Sequence, residues 1–138
     1  MDSIFTKLLP SIEGLEGVLK DKVIACWELA KEEGGWSDED LELIPFTLLI
    51  PDCPLNLFEH TEAVTRIALA ACDVLSECAK FKSINRDYLL AGALLHDVGK
   101  LLEYQKTDEG IVKSKSGKLL RHPFSGVGLA VKIGLPDE

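Results

Sequence analysis

The chain has 138 residues, 46% of them apolar and 28% charged, which suits one globular domain with a sizeable core and excludes a disordered tail. The formal charge of −8 excludes general nucleic-acid binding through a basic surface, so no nucleic-acid polymer is expected as a partner. No stretch is apolar for long enough to span a membrane, and Met1-Asp2-Ser3 opens no basic, apolar leader; the cytoplasm is the expected compartment and no membrane partner is expected.

Residues 4–33 read as helix in two pieces, broken near Pro10 and Ser11, with Ile12, Leu15, Val18, Leu19, Val23, Ile24, Trp27 and Ala30 at helical spacing. Ser11 is a candidate cap for the second piece, and Gly34-Gly35 ends it. Ser37-Asp38-Glu39-Asp40 starts a short helical turn with a capping serine and acids in the first turn. Pro45, Pro51 and Pro54 then forbid a long helix and make a connector, whose Phe46, Leu48, Leu49 and Ile50 can pack on the core or on a partner, leaving room for a homo-oligomer.

A second strong helix is predicted over 55–80. Leu57, His60, Val64, Ile67, Ala71, Val74 and Cys78 step by three or four and share one face, which sets His60 on the apolar stripe. A histidine there is either hydrogen-bonded in the core or a ligand. Lys80 to Asn85 makes a turn. Leu89, Leu90, Ala91, Ala93, Leu94 and Leu95 then lead as a buried helix into His96-Asp97-Val98-Gly99-Lys100, where Gly99 marks the end or a bend. A lone His-Asp pair is often a helix-end polar pair, so its context decides its meaning. Imidazole and carboxylate on a buried helix end are also ordinary ligands for zinc, iron or manganese.

Residues 101–120, with Gly110, Gly117 and several Lys and Ser, read as a long loop or a small hairpin. A helix resumes at Pro123 and closes at Gly134, with His122 directly before it. Leu135-Pro136-Asp137-Glu138 has the pattern of a helix start. Cys26, Cys53, Cys72 and Cys78 show no C-x-x-C spacing; Cys26, Cys72 and Cys78 fall in helical patterns and read as small buried residues in a reducing compartment. Charge is uneven. Residues 1–99 hold 18 acids against 8 Lys/Arg, whereas residues 100–138 hold 7 Lys/Arg against 5 acids. That basic segment is either a solvated loop or an attractor for an anionic substrate.

Two helices joined by a short turn pack antiparallel. The start of helix 55–80 then lies near the end of helix 85–99, and His60 can approach His96 and Asp97. With these residues in place the chain resembles the HD-domain metal-dependent phosphohydrolases. The resemblance rests on His60 in Phe58-Glu59-His60-Thr61 and on Leu94-Leu95-His96-Asp97-Val98-Gly99-Lys100. His122-Pro123-Phe124-Ser125-Gly126 looks like the extra histidine of members that hold two metals.

The resemblance covers about residues 55–138. With the helical patterns it implies an all-α helical bundle with an HD-domain core at 55–138, lacking its C-terminal helices; the patterns themselves, and no resemblance, give a loop or small hairpin at 103–120 and residues 1–54 as a helical segment packed on the core. The resemblance implies His60, His96 and Asp97 as metal ligands, with Asp97 bridging if two ions are present, His122 on a second metal, and Lys100 on a substrate phosphate. One or two divalent ions (Mn, Fe, Ni, Zn or Mg) would activate a water for attack on a small phosphorylated, nucleotide-like substrate. One departure matters. The family's distal Asp has no good counterpart, since only Asp108 and Asp137 follow Gly99, so the chain is either shortened or has lost ligands and activity. Two other classes stay open: a non-catalytic ligand- or partner-binding module, and a di-iron oxygenase on the same fold.

Overall fold

A computed structural model describes residues 3–78, 80 and 83–138. Part of the expected Lys80–Asn85 turn, and Met1 and Asp2, lie outside the described residues. Helices α1 (Ile4–Leu8), α2 (Gly17–Gly34), α3 (Asp38–Leu41), α4 (Leu57–Ser76) and α5 (Arg86–Leu95) precede α6 (Lys100–Glu103). Strands β1 (Tyr104–Thr107) and β2 (Gly110–Lys113), then α7 (Lys115–Leu119) and α8 (His122–Ile133), complete the order. The fold is therefore mostly helical, and within the segment 103–120 expected as a loop or small hairpin an antiparallel hairpin pairs Tyr104 with Lys113 and Thr107 with Gly110.

The first helical region is in three pieces rather than two. A 3-10 helix over Pro10–Gly14 follows α1, and Gly17, at φ 57°, re-aims the chain into α2. Ser11 does not cap α2. Its N–H and Oγ both donate to Glu62, tying the 3-10 turn to α4. Asp40 Oδ2 accepts from Ser37 at the start of α3, as its acidic first turn suggests. Asn56 caps α4 through Phe58 and Glu59 N–H, and Glu59 returns a bond to Asn56 N–H.

Helix α2 runs through the centre and packs against α5, α6 and α8. Trp27 on it stacks on Phe5 at 5.5 Å and meets Phe58 at 5.3 Å, so the N-terminal helices and α4 share one aromatic cluster. Trp36 Nε1 donates to the Leu101 carbonyl at 2.8 Å, pinning the end of α2 under α6. The core is continuous from Phe5 to Leu129.

The buried face of α4 differs from the one that its apolar spacing suggests. Leu57, Phe58, Thr61, Thr65 and Cys72 face inward, while Ile67 and Val74 are 69% and 68% exposed. The threonines are inexpensive to bury because each hydroxyl donates to the carbonyl four residues back, Leu57 and Thr61 respectively. Cys78 is exposed, against expectation, while Cys26 and Cys72 are buried; all four cysteines are free thiols.

Gly99 also has a reason other than the one its position suggests. Its φ is −63°, an ordinary right-handed value. A Cβ there would lie 2.0 Å from the His122 carbonyl oxygen and 2.7 Å from Gly126 N. Glycine is needed for the close approach of α8, not for a left-handed turn. Gly134, at φ 72°, does end α8 with a left-handed cap, bonding back to Val131 while Leu135 N–H reaches Ala130. Residues 135–138 take no regular secondary structure.

Two glycine substitutions test this packing with opposite signs. Gly99→Ala should lower unfolding free energy by about 1–3 kcal/mol, because backbone has to move. Gly92→Ala, inside α5 with nothing within 4 Å of the added carbon, should raise it by about 0.5–1 kcal/mol. Urea denaturation midpoints of the two variants measure both.

Candidate metal centre

The antiparallel packing of α4 on α5 brings His60, near the start of α4, to the end of α5. Helix α5 closes at Leu95, with His96 as its C-cap. The chain then tightens: Val98 N–H bonds Leu95 O, and Lys100 N–H bonds Asp97 O, both three residues back. This turn points Asp97 inward, leaving it only 4% exposed.

Three imidazoles and one ammonium converge on that carboxylate. On Oδ2 lie Lys100 Nζ at 2.8 Å, His96 Nε2 at 3.2 Å and His60 Nε2 at 3.4 Å. On Oδ1 lies His122 Nε2 at 3.2 Å. His60, His96 and Asp97 each offer one ligand atom, and these atoms lie within 4.8 Å of one another. His122 is brought to the same carboxylate from the other side. Lys100 is buried: its Nζ donates to Asp97 Oδ2 and to the Phe46 carbonyl, and does not project into solvent. Asp108 sits exposed in the hairpin turn and Asp137 exposed near the C-terminal end; neither belongs to this group.

The far nitrogens of two imidazoles are held in place. His96 Nδ1 lies 2.7 Å from the Ala93 carbonyl oxygen, which can only accept. His122 Nδ1 lies 2.7 Å from Glu103 Oε2, and His122 N–H donates to the same oxygen. Each imidazole must therefore carry its proton on Nδ1 and, when neutral, present a bare Nε2 lone pair to Asp97. Lone pairs facing a carboxylate repel unless a proton or a cation lies between them. This donor set therefore fits a divalent cation, and distal nitrogens bonded to a carbonyl and a carboxylate are the usual outer support of metal-binding histidines.

The charges follow the same geometry. Burial pushes the Asp97 carboxyl up, but hydrogen bonds from His96 and Lys100 and the Lys100 charge outweigh it and bring it down to about 2. The Asp97 hydrogen bond raises His96 above the ordinary imidazole value against the pull of burial. His60 is lowered, chiefly by burial and then by the Lys100 and His96 charges, although Asp97 opposes this. Burial pushes Glu103 up, but its bonds from His122 and the nearby Arg121 bring it below the ordinary range.

Sequence reasoning missed two contributors. Phe46, from the connector, stacks on His60 with ring centroids 4.6 Å apart and gives its carbonyl to Lys100. Nothing in its neighbourhood marked it beyond general apolarity. Glu103 is 3% exposed and also meets Arg121 at 3.5 Å and Lys113 at 3.7 Å. Its signal was a lone acid inside the apolar run Leu101-Leu102-Glu103-Tyr104. A cavity of about 460 Å³ between the connector and the hairpin includes none of the imidazoles.

The family described as HD domain matches residues 57–138, more than half of the chain. The chain belongs to the HD-domain family. It is also 50% identical over 83 residues to a dihydroneopterin 2′,3′-cyclic phosphate phosphodiesterase of Methanocaldococcus jannaschii, a match that covers 60% of this chain and 33% of that protein. The chain thus spans about a third of that relative's length. No solved structure matches. Among the described residues no helix is long and apolar enough to cross a membrane.

The depressed Asp97 carboxyl sets an acid limit in metal-free protein. Its folded value of about 2 lies below the unfolded value of about 3.9, so its stabilisation is present above pH 4 and is lost as pH falls towards 2. In chelator-treated protein, the stability difference between wild type and Asp97→Asn should narrow by about 2 kcal/mol over that window. Urea unfolding at stepped pH measures it, and an unchanged difference would contradict the proposed ion pairing.

Proposed function

We infer that the protein is a metal-dependent phosphohydrolase that cleaves a small organic phosphodiester or phosphomonoester, nucleotide-like in character. The observation that carries this reading is the pair of Nε2 lone pairs, from His96 and His122, aimed at the two oxygens of one buried, ionised carboxylate. Membership of the HD-domain family and the phosphodiesterase named among the relatives support it.

In this reading His60, His96 and Asp97 would hold a divalent cation, and His122 would serve a second. A cation held there supplies Lewis-acid polarisation of the phosphoryl oxygens and brings a water's pKa towards neutrality. Asp97 stays ionised at every working pH and contributes the negative charge of the set. Ala93 and Glu103 hold the protons of His96 and His122 on Nδ1, so neither ring has to change tautomer to act as a ligand. Lys100 is assigned to the substrate phosphate, for which its Nζ exchanges the Phe46 carbonyl for a phosphoryl oxygen. Residues 1–54 form the helical segment that backs an HD domain at 55–138. Four free cysteines suit a reducing compartment, and the cytoplasm is proposed.

One observation favours a second reading. Lys100 already places a positive charge 2.8 Å from Asp97 Oδ2. A module that binds a ligand without metal would use that ammonium as the permanent partner of the carboxylate.

Elemental analysis after incubation with manganese, nickel, iron, zinc or magnesium, followed by a phosphatase and phosphodiesterase screen, separates the two. The wild type should bind at least one ion and hydrolyse a phosphate ester. Asp97→Asn and His96→Ala should lose both metal and turnover, and retention of activity by His96→Ala would refute the assignment. Glu103→Gln keeps the shape but changes the partner of His122 Nδ1, and should weaken metal affinity by about 10–100-fold, read by calorimetric titration.

A further inference from the structure

The connector before α4 is closed at its base by backbone bonds. Phe46 N–H donates to the Leu55 carbonyl at 3.2 Å, Leu57 N–H donates to the Ile44 carbonyl at 2.7 Å, and Pro45 and Asn56 form an antiparallel bridge. Asn56 is also the cap of α4. The same short ladder therefore fixes the start of α4 and the backbone of Phe46, and it sets the Phe46 ring beside His60, one turn into the helix. The two rings lie 4.6 Å apart between centroids, with 17° between their planes. Lys100 Nζ lies 5.7 Å from the centroid of the same Phe46 ring, besides donating to the Phe46 carbonyl. One residue of the connector thus touches both His60 and Lys100, and it lies outside the residues 57–138 that match the HD-domain family.

His60 depends on this contact more than the other imidazoles would. His96 and His122 have Nδ1 bonded to the Ala93 carbonyl and to Glu103, which orients each ring. Among the described residues no such bond orients His60; its ring meets Phe46 nearly parallel and His96 tilted, at 5.6 Å. The lone pair of an imidazole nitrogen lies in the plane of the ring. The plane of His60 therefore decides whether Nε2 can point at a cation beside Asp97.

We propose that Phe46 is a positioning residue, whose ring sets the plane of His60 so that Nε2 points at a cation shared with His96 and Asp97. This role rests on the metal-dependent reading and extends the centre to a residue outside the matched region. It belongs to the aromatic face and not to bulk. An aliphatic side chain of similar size would cover His60 yet leave its plane free to turn, because the preference for offset, nearly parallel rings comes from the π systems. Every substitution at position 46 other than proline keeps the backbone groups, including the carbonyl that receives Lys100, so side-chain variants isolate the ring.

The test uses the full chain with Phe46→Leu, with Phe46→Met as a second aliphatic variant should the first fail to fold, and with Phe46→Tyr to keep the ring. In metal-free, histidine-labelled protein the Phe46 ring current marks the His60 Cδ2–H resonance. The aliphatic variants should move that resonance towards its position in the urea-unfolded chain and move those of His96 and His122 less; Phe46→Tyr should leave it in place. Calorimetric titration with manganese, or with whichever of nickel, zinc and iron the wild type takes up, should show affinity about tenfold weaker in the aliphatic variants. Phe46→Tyr should bind as the wild type does.

A folded aliphatic variant that binds the ion as tightly as the wild type would overturn the proposal and leave the metal-dependent reading standing. So would an unmoved His60 resonance, because the rings would then not be stacked in solution. A loss of affinity that Phe46→Tyr shares in full would also overturn it, since general packing would be the cause. Uptake of none of the four ions by the wild type would sink the phosphohydrolase reading itself, and this role with it.

Discussion

The structure turns on one carboxylate that has more lone pairs around it than protons to separate them. Asp97 is buried, ionised and faced by the Nε2 atoms of His60, His96 and His122. Protons can relieve this arrangement, as the raised His96 imidazole indicates, but only by charging rings that are themselves partly buried. Divalent cations held between these groups would relieve it without charging any of them. The surrounding groups suit that outcome: the Ala93 carbonyl and the Glu103 carboxylate each remove the alternative tautomer of one ring. Lys100 limits the electrostatic cost while no ion is bound, since its ammonium lies on the same oxygen.

The core has to deliver these groups from distant parts of the chain. His60 comes from α4, His96 and Asp97 from the turn after α5, and His122 from the first turn of α8. The approach of α8 depends on Gly99, whose bare backbone admits the His122 carbonyl. The N-terminal 54 residues are not an appendage to this arrangement. Trp27 and Phe5 complete the cluster behind Phe58, Trp36 holds the Leu101 carbonyl, and Phe46 covers His60. A change in the connector would thus reach the metal centre through two contacts, the ring stacked on His60 and the carbonyl that receives Lys100.

Much of the centre's geometry was legible because the order of two neighbouring helices sufficed. An antiparallel helix pair puts the start of one helix beside the end of the next, and this alone placed His60 near His96 and Asp97. The errors have a common physical cause. The inner face of α4 was read from apolarity, but Thr61 and Thr65 satisfy their hydroxyls within the helix and so bury at little cost, while Ile67 and Val74 face outward. Gly99 was read as a helix terminator, but its role is a contact with a segment 23 residues later, which no local pattern encodes. Glu103 was hidden for a related reason. A buried acid is informative only when its partners are known, and they come from α8 and from the end of the hairpin. The hairpin itself carried only a weak signal, four residues to a strand and a single Ile111-Val112 pair.

The basic C-terminal segment illustrates how charge in a sequence differs from charge available at a surface. Seven Lys/Arg in residues 100–138 would suggest a field that gathers anions. In the fold, Lys100 is paired with Asp97, Lys106 with Asp40, Lys132 with Glu33, and Lys113 and Arg121 both approach Glu103. Most of that positive charge is therefore balanced within a few ångströms, and exposed pairs of this kind are screened further by salt. Long-range steering is a weak basis for recognising a phosphate here. With His122 itself, Arg121 instead helps to keep Glu103 ionised, and Glu103 in turn fixes the proton of His122. The basic segment thus acts on the centre through the tautomer of one imidazole, and the attraction for an anionic substrate has to originate where the three histidines meet.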